Sequence, residues 1–192
     1  MPPFTKRAIV DSFLNIAARK SFDKITVRDI VDDCGVNRNT FYYYFQDIYG
    51  VIEELCESEH ISARSEDAVL SPTDSFRRLA DFTLKHQKAV QNIYASVGRD
   101  GMTTCLFSVL ARSIRQYFLS LGGDDCPPGD VDFLTDCCRH ALMGIYTDWL
   151  KSGCKEDPEA ICGKFTRLFG NLFPSMLSGW ENIDKTRKTS EF

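Results

Sequence analysis

The sequence predicts an all-α fold, and three observations carry that expectation. Apolar residues recur at spacings of three and four along nearly all of the 192 residues, while strand-like alternation is nearly absent. Helix starts and stops punctuate the pattern where they are needed: Gly35, Ser71-Pro72, the run from Gly122 to Gly129, and Asp157-Pro158. The composition, 43% hydrophobic and 26% charged, is that of a globular chain. A chain of this length buries roughly two-thirds of its unfolded surface, so neither metal nor disulfide is required for folding.

Taken in order, a first helix spans about 4–20, with Ile9, Phe13, Ile16 and Ala17 repeating on one face. Thr26 stands three residues before Asp29, an acidic capping box that starts a short helix at Val27 with Val27, Ile30, Val31 and Cys34 inward. Gly35 stops it, because glycine readily takes the left-handed conformation that ends helices. Asn37 caps the next helix, which turns Phe41 and Phe45 inward, and Asp47 caps a fourth carrying Val51, Ile52, Leu55 and Cys56. After the polar stretch from Ser62 to Asp67, Ser71-Pro72-Thr73-Asp74 reads as N-cap, first-turn proline and first-turn acid. Helices are expected at 72–96, with a break near His86, and at 101–121. The loop Gly122–Gly129 precedes two long helices at 130–152 and 158–178, and a polar tail covers 181–192.

Charge and cysteine usage narrow the function classes. The net charge of −4 excludes indiscriminate coating of nucleic acid, yet residues 1–50 carry seven cations and six anions. That leaves residues 51–192 with five excess negative charges. The eight cysteines are scattered without a C-x-x-C pair, so neither a zinc site nor a disulfide framework is expected. No Ser-His-Asp or Cys-His neighbourhood and no Gly-rich phosphate loop is legible, and His60, His86 and His140 are dispersed. The expectation is a non-enzyme without metal or cofactor. No apolar run approaches the roughly 20 residues that span a bilayer, and no signal-peptide core opens the chain, so a cytoplasmic protein without a membrane partner is expected.

The informative stretch is 26–45. Two short helices around a glycine turn make a helix-turn-helix, a geometry that lays the second helix in the DNA major groove. With Phe41 and Phe45 inward, Arg38, Asn39, Thr40, Tyr42, Tyr43 and Tyr44 occupy the remaining surface. Arginine pairs with guanine, asparagine bridges adenine, and threonine or tyrosine meets a thymine methyl. Residue types alone leave open a purely structural corner with the tyrosines packed on neighbours.

The stretch Phe22-Asp23-Lys24-Ile25-Thr26-Val27-Arg28-Asp29-Ile30, continued by Cys34-Gly35-Val36-Asn37-Arg38-Asn39-Thr40-Phe41-Tyr42-Tyr43-Tyr44-Phe45, resembles the N-terminal signature of the TetR family of transcriptional regulators over about residues 5–55. The resemblance implies an all-helical homodimer: an N-terminal three-helix helix-turn-helix DNA-binding domain, here 1–50, and a C-terminal helical effector and dimerisation domain, here 51–180. Carried over by position, it implies base contacts from Arg38, Asn39, Thr40 and Tyr42, with Tyr43 and Tyr44 on phosphate or thymine methyls. Thr26 and Arg28 would hold phosphate at a helix N-terminus, and Lys6 and Arg7 would add contacts from an N-terminal arm. One position departs from the pattern. Many relatives carry a phosphate-binding lysine where this chain has Ile48; Tyr49 or the adjoining helix-end amides are the available replacements.

The C-terminal body is less legible. The helix at 130–152 shows two apolar stripes, Leu134, Cys138, Leu142, Ile145 and Trp149, then Met143, Tyr146 and Leu150. Its successor shows Ile161, Phe165, Leu168, Leu172 and Met176, then Phe169, Phe173 and Leu177. One stripe on the core and one on a twofold-related copy predicts a homodimer through these two helices, with Gly144 and Gly170 permitting close approach. A pocket for an unknown small-molecule or protein effector is expected among Phe82, His86, Tyr94, Phe107, Tyr117, Phe118 and Tyr146. The run from Gly144 to Glu159 is similar to the branch that includes the dihydroxyacetone kinase operon activator, which answers to a protein partner. The functional expectation is a dimeric regulator binding a double-stranded DNA operator, a repressor released by its effector. The alternative is a helical adaptor or activator controlled by a protein partner.

Overall fold

The computed structural model describes residues 3–61, 69–96, 101–122 and 128–170. Among the described residues all regular structure is helical. Helix α1 is Pro3–Ala17, followed by a 3₁₀ turn at Phe22–Lys24, α2 Val27–Cys34, α3 Arg38–Tyr44 and α4 Ile48–Ile61. Then come α5 Pro72–Lys85, α6 Gln87–Ser96, α7 Gly101–Ser120, α8 Pro128–Lys151 and α9 Pro158–Phe169. No helix among the described residues is long and apolar enough to cross a membrane.

The chain forms two compact units, Met1–Arg64 with Asp81–Val109, and Ser65–Ala80 with Leu110–Phe192. The first packs Ile9, Phe13 and Ala17 of α1 with Ile30, Phe41, Val51 and Ile52, and also buries Ala89, Val90 and Ile93 of α6. Burial of side chains this size stabilises by about 1.5–3 kcal/mol each, so this core holds the short α2 and α3, which are too brief to persist alone. The second unit is built on Phe76, Ile114, Phe118, Val131, Leu134, Cys138, Tyr146, Trp149 and Phe165. Arg77 of α5 pairs there with Asp74 and with Glu159 of α9.

Several expectations hold in detail. The break lies at His86, between α5 and α6. Ser71 Oγ accepts the Asp74 amide at 3.1 Å, and Asp157 accepts the Glu159 amide at 3.3 Å, so both N-caps form where the sequence placed them. Others need correction. Helix α1 ends at Ala17 instead of near 20; Arg19 N–H bonds the Ile16 carbonyl, an i→i−3 link that tightens the last turn and ends the α-helix. Helix α8 starts at Pro128, two residues early, with proline in the first turn where its missing N–H costs nothing.

The stripe argument also changes. One of the two α8 stripes is expected to face a second copy, yet both lie within the single chain: Met143, Tyr146 and Leu150 are buried, as are Leu134, Cys138, Leu142 and Trp149, with Ile145 half-buried. On α9, Ile161, Cys162 and Phe165 are buried, whereas Leu168 is 71% exposed. Leu172, Phe173, Met176 and Leu177, the Phe169 side chain and the tail 181–192 lie outside the described residues. The described cysteines are free thiols. Cys138 and Cys162 among them are buried, while Cys34, expected inward, is half-buried; burial pushes the Cys138 thiol up to about 12.

Candidate nucleic-acid interface

The interface is assembled by three caps in succession. Thr26 Oγ1 accepts the Asp29 amide at 3.2 Å while Asp29 Oδ2 accepts the Thr26 amide at 2.8 Å, the reciprocal box that starts α2. Lys20 Nζ donates to the same Asp29 oxygen at 2.7 Å. These bonds favour the charged carboxylate and hold Asp29 down to about 2, with the Lys20 bond the largest cause and Thr26 next. Gly35 then ends α2 at φ +70°, ψ +21°, a left-handed conformation a side chain disfavours, and its amide returns to the Val31 carbonyl. Two residues later Asn37 Oδ1 accepts the Thr40 amide at 2.8 Å and the Thr40 hydroxyl at 3.0 Å, which starts α3.

Helix α3 is anchored from inside. Phe41 and Phe45 are buried with ring centroids 5.7 Å apart. Lys6 Nζ lies 5.8 Å from the Phe45 ring and pairs with Glu54 of α4 at 2.5 Å. On the outer side Arg38, Asn39, Tyr42 and Tyr43 are exposed, Tyr43 to 72%, and Thr40 and Tyr44 are half-buried. Tyr42 and Tyr43 are therefore not packed away, against a purely structural corner, while Tyr44 leans on Phe45 at 6.4 Å. The Arg38 guanidinium stands 5.5 Å from the Tyr42 ring centroid, and Nη2 donates to the Tyr42 hydroxyl at 3.2 Å. Tyr43 and Tyr44 meet edge to face at 5.0 Å.

Around α3 the remaining expected contacts are placed as follows. Thr26 is exposed at the start of α2, and Arg28 is exposed with Asp32 at 3.4 Å. Asp47 Oδ1 accepts the Gly50 amide at 3.0 Å and caps α4; Ile48 is half-buried at its first position. Tyr49 is exposed with its ring 5.3 Å from Phe22. Lys6 and Arg7 lie inside α1 and not on an extended arm, because the helix begins at Pro3; Arg7 has Asp11 at 3.8 Å.

Residues 9–55 match the family model of bacterial regulatory proteins of the tetR family, and residues 71–171 match that of a transcriptional regulator C-terminal region. The chain belongs to the TetR family. It is a DNA-binding transcriptional regulator, and members of this family bind DNA and act as dimers. Among solved structures it is similar to the dihydroxyacetone kinase operon activator DhaS, at 15% identity and a TM-score of 0.62 over 93% of this chain and 99% of that one. It is also similar to NalD of Pseudomonas aeruginosa, the secondary repressor of the MexAB-OprM multidrug efflux pump, at 16% identity and a TM-score of 0.54 over 88% and 95%. At these identities the likeness is one of fold. No curated protein sequence matches.

In this TetR-family chain the expected effector residues fall in both units. Phe82, His86, Tyr94 and Phe107 belong to the first, all half-buried, and the Phe82 and His86 rings meet at 4.8 Å. Tyr117, Phe118 and Tyr146 belong to the second. There Phe118 and Tyr146 are fully buried, Tyr146 packs on Trp149 at 6.1 Å, and Tyr117 is half-buried beside Phe118 at 6.0 Å. Sequence reasoning missed how α6 is fastened to the reading helices. Asn92 Nδ2 donates to the Ala17 carbonyl at 2.8 Å, satisfying an otherwise orphaned acceptor at the end of α1, and Ser96 Oγ accepts the Phe22 amide at 3.3 Å. Their sequence signal is weak, two polar residues at spacing four on a helix that also carries Gln87, Lys88 and Gln91.

Proposed function

We propose that this regulator reads its operator as a homodimer, with α3 of each copy in successive major grooves, and that its output is repression relieved by an effector. The observation that carries the reading is the outer face of α3: Arg38 held on Tyr42 beside exposed Asn39 and Tyr43, over a buried Phe41–Phe45 anchor. Arg38, Asn39, Thr40 and Tyr42 are assigned to base edges, Tyr43 and Tyr44 to phosphate or thymine methyls, and Tyr49 to phosphate. Thr26 contributes less than the family pattern implies, because its amide and hydroxyl are both engaged by Asp29. The first-turn amides of Val27 and Arg28 are the groups a phosphate meets there.

Residues 1–50 form the reading head in this proposal, 51–180 the effector and dimerisation body, and 181–192 a tail. The dimer uses the outer faces of α8 and α9, where Phe133 is 68% exposed and Gly144 and Gly163 leave open surface. Repression needs only occupancy of a promoter, with no activating surface. The effector, a small molecule or a protein, acts by preferring a spacing of the two α3 helices that does not fit DNA. The protein works in the cytoplasm, where its DNA is, as a binding protein without catalysis.

The test is binding of the full chain to DNA upstream of its own gene at two salt concentrations, beside unrelated DNA. The proposal expects a sequence-selective complex that weakens steeply with salt. A chain that binds no DNA, or all DNA alike, overturns it.

A further inference from the structure

Cys56 of α4 and Cys105 of α7 are far apart in sequence, yet their side chains stand in hydrogen-bond contact within the first unit. Both are thiols and both are half-buried, so each sulfur meets its mate and stays within reach of a small solute.

The two sulfurs differ in character. The hydrogen bond with Cys105, then burial, then the charges of Cys105, Glu53 and Glu57 push the Cys56 thiol well above its ordinary value. Cys56 therefore keeps its proton and offers its S–H to Cys105, which makes Cys105 the sulfur that ionises first. A thiolate is the form that attacks a peroxide, and a second sulfur already in contact turns the first product into a disulfide before oxidation goes further.

The pair also lies close to the reading helix. A Cβ at Gly50 of α4 would meet the Phe45 side chain at 3.8 Å, so α4 is part of the seat of that anchor. Glu54, two residues before Cys56, pairs with Lys6 of α1. A covalent bond between two sulfurs is shorter than the hydrogen bond it replaces, so closing it draws α4 toward α7 and shifts that seat.

We propose that Cys56 and Cys105 form a dithiol switch that a hydroperoxide closes into a disulfide, and that closure weakens operator binding. The Cys105 thiolate attacks one peroxide oxygen; the O–O bond breaks, Cys105 becomes a sulfenic acid, and the alcohol leaves after taking a proton. The Cys56 sulfur then attacks the Cys105 sulfur; the S–S bond forms, the S–O bond breaks, and the hydroxyl leaves as water with the Cys56 proton. Two thiols lose two electrons and two protons, and the hydroperoxide takes them up as alcohol and water. The operator half rests on the DNA-binding reading; the disulfide half does not.

The experiment treats the reduced full chain with a slight excess of hydrogen peroxide and maps its cysteines by differential alkylation and mass spectrometry. One bond, between Cys56 and Cys105, is expected, with two hydrogens lost from the chain and regained in dithiothreitol. Cys56→Ser should stop at a sulfenic acid on Cys105 that dimedone traps, whereas Cys105→Ser should leave Cys56 a thiol at the same dose. Circular dichroism checks the folding of both variants, and the wild-type map stands without them. Oxidised wild type should bind DNA upstream of its own gene at least about fivefold more weakly than reduced wild type, with Cys105→Ser indifferent to peroxide. A map without this bond, or with other cysteines oxidised equally, overturns the proposal. A disulfide that leaves operator affinity unchanged overturns the switch. A reduced chain that binds no DNA overturns the operator half together with the DNA-binding reading, while the map decides the disulfide.

Discussion

Arg38 and Tyr42 stand one helical turn apart and act as a unit: the ring supports the guanidinium, and the phenol oxygen accepts one of its five donors. An arginine held this way loses less side-chain freedom on meeting a base than a free one does. Arg38→Ala should therefore cost about 1–3 kcal/mol on the cognate operator and relax selectivity at one base pair. Anisotropy titrations over single-base operator variants measure both; an equal loss on every sequence would reassign Arg38 to phosphate. Asp29 makes a second residue-scale case, on stability. Its folded pKa of about 2 lies below the ordinary carboxylate value of 3.8, so its contribution is fully present above about pH 4 and is lost as pH falls toward 2. Asp29→Asn should lower stability at pH 7 by about 1 kcal/mol through the weakened capping box. It should also flatten the fall in denaturation midpoint between pH 4 and pH 2. An unchanged acid profile would mean that the Lys20–Thr26 clamp does not hold the charged form.

At the scale of the element, the short helices of the reading head were legible because their signals are local. Thr26 with Asp29, Gly35, Asn37 and Asp47 each act within four residues, and each cap forms as the sequence implies. What was not legible depends on distance along the chain. Lys20 reaches Asp29 across nine residues, Asn92 reaches Ala17 across seventy-five, and Arg115 of α7 reaches Asp132 of α8 across seventeen. Periodicity marks an apolar stripe but not what covers it, which is why two stripes on α8 suggest one interface face while both are core. Two element-scale predictions follow from the caps. A Cβ at Gly35 meets nothing within 4 Å, so Gly35→Ala pays only for the left-handed backbone, about 1–2 kcal/mol in chemical denaturation. A much larger loss would point to a steric role. At the first position of α4, Ile48 is half-buried, and the family pattern implies a phosphate-binding lysine at that place. Ile48→Lys should tighten operator binding and steepen the dependence of log K on log salt by about one per half-site. An unchanged slope would show that Tyr49 and the helix-end amides already fill that contact.

For the molecule as a whole, the dimer decides whether the reading head works. One α3 covers too few base pairs for selective binding, and two give it only when held about 34–36 Å apart, one turn of DNA. With both α8 stripes buried, the proposed dimer surface is the outer faces of α8 and α9, where Phe133 and Leu168 are largely exposed and Gly144 and Gly163 offer no side chain to keep another helix away. An exposed phenylalanine and leucine on neighbouring helices cost free energy in water that a twofold copy removes, and a twofold contact places each residue against the same surface on its mate. Sedimentation at micromolar concentration should therefore give a species near twice 21.8 kDa. A carboxylate cannot be buried there unpaired, so Phe133→Asp with Leu168→Asp should return the chain to the monomer mass while leaving its helical content intact. The same variant should lose selective operator binding yet keep a weak, salt-sensitive attraction to any DNA, because each head retains its own contacts. A wild-type monomer, or a double variant that stays dimeric, would place the interface elsewhere on the chain.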